Sequence, residues 1–153
     1  MEKKELEKLF KNLFPLNRSI LGKGYRESLK ILKKYIPFKE YKYRSGEKVF
    51  DWTVPKEWKI EKAQVKLQGK KIIDYKKNNL HIVNYSQSVS KNLSLKELNK
   101  NLYSLKDQPN FIPYVTSYYK KNWGFCITHK NRKKLKNGTY NCTIKSEHIN
   151  GFL

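Results

Sequence analysis

The sequence predicts an α+β fold: two N-terminal helices followed by a strand-rich mixed α/β region. Three observations predict it. Apolar residues recur at helical spacing in two stretches before Pro37. From about Phe38 the apolar period changes to two. A capped helix then interrupts the strands at Ser94.

Leu6, Leu9, Phe10 and Leu13 stand at i, i+3, i+4 and i+7, with Glu and Lys filling the other face. This spacing predicts a helix over 2–13, ended by Pro15, which biases Phe14 away from helical dihedrals. After the connector Asn17-Arg18-Ser19-Ile20-Leu21-Gly22-Lys23-Gly24, the stripe Tyr25, Leu29, Leu32 and Ile36 predicts a second helix, stopped by Pro37.

The next elements read as strands. Tyr41 and Tyr43 alternate with Lys42 and Arg44 before a turn at Ser45-Gly46, and Phe50, Trp52 and Val54 share one strand face. Ala63, Val65 and Leu67 alternate next, Gln68-Gly69 turns the chain into 71–75, and 80–85 is a fifth strand. Ser94 with Glu97 forms a capping box for a helix carrying Leu95, Leu98, Leu102 and Leu105. Strands at 111–119 and 123–127, a short helix at 128–135 and a strand at 139–145 complete the layout. Trp52, Val54, Leu80, Val83, Leu98, Tyr114 and Phe125 are the expected core of the strand-rich part.

The chain has 153 residues, with 34 Lys+Arg against 13 Asp+Glu and a net charge of +21. Aromatics at 14% argue against wholesale disorder. No stretch approaches the roughly eighteen apolar residues of a membrane span, and no apolar leader follows Met1, so a cytoplasmic chain is expected. Thirty Lys, only four Arg, fourteen Asn and a single alanine, Ala63, read as the product of an AT-rich coding sequence. Lysine offers a hydrated point charge where specific nucleic-acid readers favour the arginine fork. The expectation is weak, salt-dependent, non-specific polyanion binding.

Candidate chemistry is sparse. His81, His129 and His148 lack the close pairing of metal sites and read as unrelated surface or turn histidines. Cys126 with His129 three residues later has the makings of a nucleophile and base, but no third orienting group is marked, and a buried inert thiol is the plainer reading. Gly22-Lys23-Gly24 ahead of a helix could hold an anion on backbone N–H groups, although a helix-entry loop suffices to explain it. Tyr114, Tyr118, Tyr119, Trp123 and Phe125 have the composition of a base-stacking surface, and equally of a strand core.

Four uncommon strings are more specific. They are Leu13-Phe14-Pro15-Leu16-Asn17-Arg18-Ser19-Ile20 with Gly22-Lys23-Gly24-Tyr25-Arg26-Glu27; 49–58, Val-Phe-Asp-Trp-Thr-Val-Pro-Lys-Glu-Trp; 79–86; and 108–119 with 123–126. Together they resemble the N-terminal part of a bacterial aminopeptidase-like family associated with polysaccharide-biosynthesis loci, from about Leu9 to His148. Leu21 departs from the family pattern, in which threonine is expected.

The resemblance implies a zinc aminopeptidase-type α/β core with two metal ions, an inserted domain and a C-terminal winged helix. It implies that residues 1–38 belong to the peptidase-like core and 39–153 to the inserted domain. The family's metal-binding segment, a His-Pro string followed by acidic residues and Ser-Gly, is expected beyond Leu153. Accordingly no catalytic, cofactor or metal residue is assigned to this chain, and zinc is expected only in the complete family member. The implied function is that of an N-terminal fragment of an aminopeptidase-like zinc hydrolase, non-catalytic alone. Its expected partner is the downstream peptidase segment or another copy of the chain. Candidate substrate-side or anion-binding positions are Asn17, Arg18, Gly22, Gly24, Tyr118, Tyr119 and Trp123. The alternative is a basic α+β binding module for nucleic acid or an acidic protein partner; an independent enzyme built on Cys126 and His129 is the remotest reading.

Overall fold

A computed structural model describes residues 2–153. They divide into two compact units: residues 2–59 with 148–153, and residues 60–147. The second is thus inserted in sequence within the first. The fold is mixed α+β with the helices leading, as the sequence predicts.

The first unit opens with α1 (Lys3–Leu13) and α2 (Lys23–Leu32). Glu2 and Glu5 form a capping box at the start of α1, where acidic groups favour the helix dipole. Leu9 and Leu13, one turn apart, are buried, whereas Leu6, Phe10 and Phe14 form a second ridge on the same helix that stays exposed. The second helix is shorter than its stripe suggested; hydrogen-bonded turns carry the chain from Lys33 to Ile36.

Residues 41–43 form no strand. Tyr43 instead exchanges two backbone hydrogen bonds with Leu153, and Arg44 makes an isolated bridge to Phe152, so the C-terminal tail supplies the partner. The expected Phe50–Val54 strand is a small antiparallel hairpin of β1 (Lys48–Val49) and β2 (Trp52–Thr53). Pairing Val49 with Trp52 leaves Phe50 and Asp51 as the two turn residues. Phe50 consequently takes a left-handed φ of 56° and is 98% exposed. Such a conformation is strained for a bulky residue, and no glycine marks the turn in the sequence. Trp52 is half-buried and Val54 buried.

The main sheet has the order β4-β3-β8-β5, from β3 (Glu57–Leu67), β4 (Lys70–Asp74), β5 (Val89–Ser94) and β8 (Thr139–Ile149). Gln68 and Gly69, both at positive φ, make the two-residue turn between β3 and β4. Tyr140, Cys142 and Ile144 line the buried face of β8, as their period-two spacing predicts. The polar edge strand β5 carries no apolar alternation and escapes a reading based on that signal.

The capping box at Ser94 is present: its hydroxyl accepts from the Glu97 N–H, and Glu97 accepts from the Ser94 N–H. The helix it starts, α3 (Leu95–Asn99), is only five residues long, because Leu102 already opens β6 (Leu102–Tyr103), parallel to β7 (Phe125–Cys126). A last short helix, α4 (His129–Arg132), is capped by the Thr128 hydroxyl.

Two expected strands are replaced by hydrogen-bonded loops. At 79–85 the Asn78 side chain accepts from the Leu80 N–H and starts a 3₁₀ turn, after which Ile82 to Ser86 are buried on both sides. Segment 111–119 contributes only a bridge between Thr116 and Asn84. Pro113 lacks the N–H a ladder would need, and Tyr114 turns out 57% exposed rather than core. Of the remaining expected core residues, Val83, Leu98 and Phe125 are buried and Leu80 is half-buried.

Leu98 is fully buried, so Leu98→Ala should cost about 2–5 kcal/mol. Removing the exposed cap with Ser94→Ala should cost about 1 kcal/mol. Urea denaturation of both variants checks the order of the two losses.

Candidate functional site

In the first unit, the connector brings Asn17 against Gly24. The connector folds back so closely that a Cβ at Gly24 would overlap the Asn17 carbonyl. Ser28 donates to the Gly24 carbonyl and Ser19 to that of Leu21, at 2.8 and 2.6 Å. Leu21 itself is buried. An apolar side chain therefore occupies the position where the resemblance led us to expect threonine.

Gly22 caps α2 with φ 115°, and a Cβ there would lie 3.3 Å from Cγ of Glu57. Glu57 is nearly buried and receives a bidentate pair of hydrogen bonds from Arg26, at 2.7 and 3.1 Å. That hydrogen bond, with the carboxylate charge, raises the Arg26 pKa against the opposing effect of burial. The protein's own carboxylate thus stands beside the N-terminus of α2, where a bound anion was a candidate from sequence. Arg18 is exposed.

In the second unit, Tyr118 packs edge-on against buried Tyr85 with centroids 4.7 Å apart, and Tyr119 stands at 90° to Tyr118. The Tyr114 and Tyr118 hydroxyls are 3.1 Å apart. Trp123 packs edge-on against buried Phe125. Of the aromatic cluster, Phe125 is core, Trp123 and Tyr118 are half-buried, and Tyr114 and Tyr119 face solvent.

His81 and His129 serve separate local structures. The Nδ1 atom of His81 meets the Cys126 carbonyl at 2.8 Å, and that of His129 meets the Ser104 hydroxyl at 3.0 Å. Arg132 fixes this corner by donating to Ser104 and to both the side-chain and backbone oxygens of Asn99. Desolvation first, then Lys133, Arg132 and Lys106, lower the His129 pKa. Sequence reasoning did not pair Ser104 with His129 or Arg132, since nothing in their spacing of 25 and 28 positions signals contact.

Cys126 and Cys142 are free and buried; burial pushes their thiols to about 12 and about 11. A thiol held protonated is neither a nucleophile nor a ready metal ligand. Among the described residues, no group of three or more His, Cys, Asp or Glu could hold a metal ion. The zinc implied by the family resemblance therefore finds no donor set on these residues.

The chain is thus α+β with two helices first, and residues 60–147 interrupt the first unit in sequence. Residues 57–147 match the family described as a domain of unknown function, DUF2172, and the chain belongs to that family. Over 150 residues the chain is 45% identical to a Clostridium acetobutylicum protein provisionally named as a polysaccharide biosynthesis protein with an aminopeptidase-like domain. That match covers 97% of this chain and 35% of the relative. A 2.37 Å crystal structure from the same organism, provisionally named a peptidase, matches with a TM-score of 0.90 at 44% identity, over 98% of this chain and 36% of that one. The chain spans about a third of the length of these relatives and corresponds to their N-terminal part. The resemblance to an aminopeptidase-like family read from the sequence is borne out.

Two predictions follow from the site geometry. Both thiols have native pKa values above the ordinary 9.0, so their contribution to stability is complete below that value. It is lost as pH rises through the native range of about 11 to 12. Native protein should resist iodoacetamide at neutral pH and take two labels once unfolded, as mass spectrometry would show. Separately, Glu57→Ala should lower stability by about 1–3 kcal/mol, a range reduced because the Arg26 side chain is 45% exposed and can rehydrate. Lys23→Ala, which removes an exposed pair to Glu27, should leave the thermal midpoint nearly unchanged.

Proposed function

We propose that this chain forms the N-terminal scaffold of an aminopeptidase-like zinc hydrolase and contributes no metal ligand to it. The observation that carries the reading is the match of almost the whole chain, at 45% identity, to about a third of a relative named for an aminopeptidase-like domain. Among the described residues no group of three or more His, Cys, Asp or Glu could hold a metal ion, so the reading assigns the ligand set to the rest of the hydrolase. Two-metal peptide hydrolysis needs carboxylate and imidazole ligands plus a base on rigid elements, and the described residues offer no such set.

In this reading the first unit is part of the hydrolase core. The ridge of Leu6, Phe10 and Phe14 on α1, 39%, 62% and 70% exposed, is the surface on which the remainder of the hydrolase packs. Exposed apolar ridges of this kind mark interaction surfaces. The division of the chain into residues 2–59 with 148–153 and residues 60–147 favours 60–147 as the insertion, in place of the 39–153 that the resemblance implied. No helix among the described residues is long and apolar enough to cross a membrane. The free thiols fit a reducing, cytoplasmic setting.

The test is purification of the 153-residue chain, alone and mixed with a polypeptide carrying the remaining two-thirds of the Clostridium relative. Alone, it should bind no stoichiometric zinc and hydrolyse no aminoacyl p-nitroanilide. The mixture should do both, and Phe10→Asp should weaken the gain. One-to-one zinc binding with hydrolysis by the isolated chain, freed of contaminating peptidases, would overturn the reading.

A further inference from the structure

The aromatic segment of the second unit is built outward. Its base is fixed: the Asn84 N–H donates to the Val115 carbonyl, and the Ser117 N–H and hydroxyl both donate to the Asn84 carbonyl, at 2.9, 3.0 and 3.2 Å. Asn84 and Tyr85 are buried, and Tyr118 packs on Tyr85. From this anchored ring the chain presents Tyr119, 84% exposed, at 90° to Tyr118, with centroids 6.3 Å apart. Tyr114, 57% exposed, brings its hydroxyl to that of Tyr118. Lys120 and Lys121, both exposed, follow directly.

Large aromatic rings left in water on an anchored segment lose apolar burial without a structural return. The surrounding charge specifies what could cover them. Residues 104–136 hold eight Lys and Arg against a single acid, Asp107. A segment of this charge attracts an anionic partner.

We propose that Tyr114, Tyr118 and Tyr119, with Lys120 and Lys121, form a binding site for an anionic oligosaccharide. The rings make a corner rather than a ladder. Single-stranded nucleic acid stacks successive planar bases on successive aromatic faces, and Tyr118 and Tyr119 at right angles do not offer two such faces in series. A sugar ring suits a corner: its C–H face lies on one tyrosine while its hydroxyl edge meets the Tyr114 and Tyr118 hydroxyls. Lysine supplies mobile point charges for the anionic groups of the chain, and neither the planar fork nor the base readout of arginine is present among these residues. The site is independent of the hydrolase reading, since it requires no reaction and no second polypeptide.

The experiment is isothermal titration of the 153-residue chain with hexagalacturonate, with maltohexaose as the neutral control and an oligothymidylate of equal charge as the competing polyanion. Hexagalacturonate should bind saturably, more tightly than the other two. Tyr119→Ala should weaken it about five- to tenfold. Tyr119 is so exposed that its removal leaves the core intact, which circular dichroism verifies. Tyr114→Phe should weaken binding through the lost hydroxyl, and the Lys120→Gln/Lys121→Gln double variant should also flatten the salt dependence. Absence of saturable binding would overturn the proposal, as would equal affinity for maltohexaose or parent-like binding by both tyrosine variants. Tighter binding of the oligothymidylate, lost in Tyr119→Ala, would replace it with a nucleic-acid site.

Discussion

The Glu57 carboxylate is the point on which the first unit closes. It opens β3, and Arg26 reaches it from α2 with two hydrogen bonds. Gly22 at the cap of α2 and Gly151 in the tail both approach it without a side chain. A Cβ at Gly151 would lie 2.6 Å from Oε2. Three pieces of chain far apart in sequence therefore meet on one nearly buried charge. A buried carboxylate without its partner costs several kcal/mol, so the pieces are held in one arrangement rather than several. The tail is held further by Ser45, whose hydroxyl accepts from the Gly151 N–H, and by the paired backbone of Tyr43 and Leu153. A unit interrupted by 88 residues of insertion needs such a closure, because its two parts gain nothing from chain proximity.

The second unit is held differently, by apolar burial along regular strands. Val65, Ile73, Tyr140, Cys142 and Ile144 are all at or near full burial, and the polar groups among them are matched. No buried side-chain nitrogen or oxygen among the described residues lacks a partner. That order allows a long irregular segment, 104–124, to be anchored at a few points and still present rings to solvent. The positive charge is largely a surface of lysines, and its specific use depends on the few aromatic positions it surrounds.

The sequence made the helices, the Gln68-Gly69 turn, the capping box at Ser94 and the buried face of β8 legible, because each has a local signal: helical spacing, a glycine at positive φ, a Ser-x-x-Glu pair, or alternation. Other features were not legible because their cause is distant. The Tyr41–Tyr43 alternation suggested a strand, but its partner is Leu153, more than a hundred positions away. Two others have local causes that leave no apolar pattern: Phe50 takes a left-handed turn from the Val49–Trp52 pairing with no glycine to mark it, and one side-chain oxygen of Asn78 starts a 3₁₀ turn. Tyr114 looked like core because strand aromatics often are; the missing N–H of Pro113 removed the strand that would have buried it. Within the candidate site, Gly22 and Gly24 stood out at once, whereas Glu57 did not, since a lone glutamate among lysines carries no visible partner. The family resemblance rested on uncommon strings that no periodicity explains.

The central claim is that the exposed ridge of α1 is a contact surface for the rest of an aminopeptidase-like protein. Hydrogen–deuterium exchange tests it most directly, on the 153-residue chain with and without the polypeptide carrying the remaining two-thirds of the Clostridium relative. The account predicts slowed exchange concentrated in residues 3–14, with the amides of β3 to β5 unchanged. Identical exchange in α1 under both conditions, with the two polypeptides shown to be folded, would contradict it.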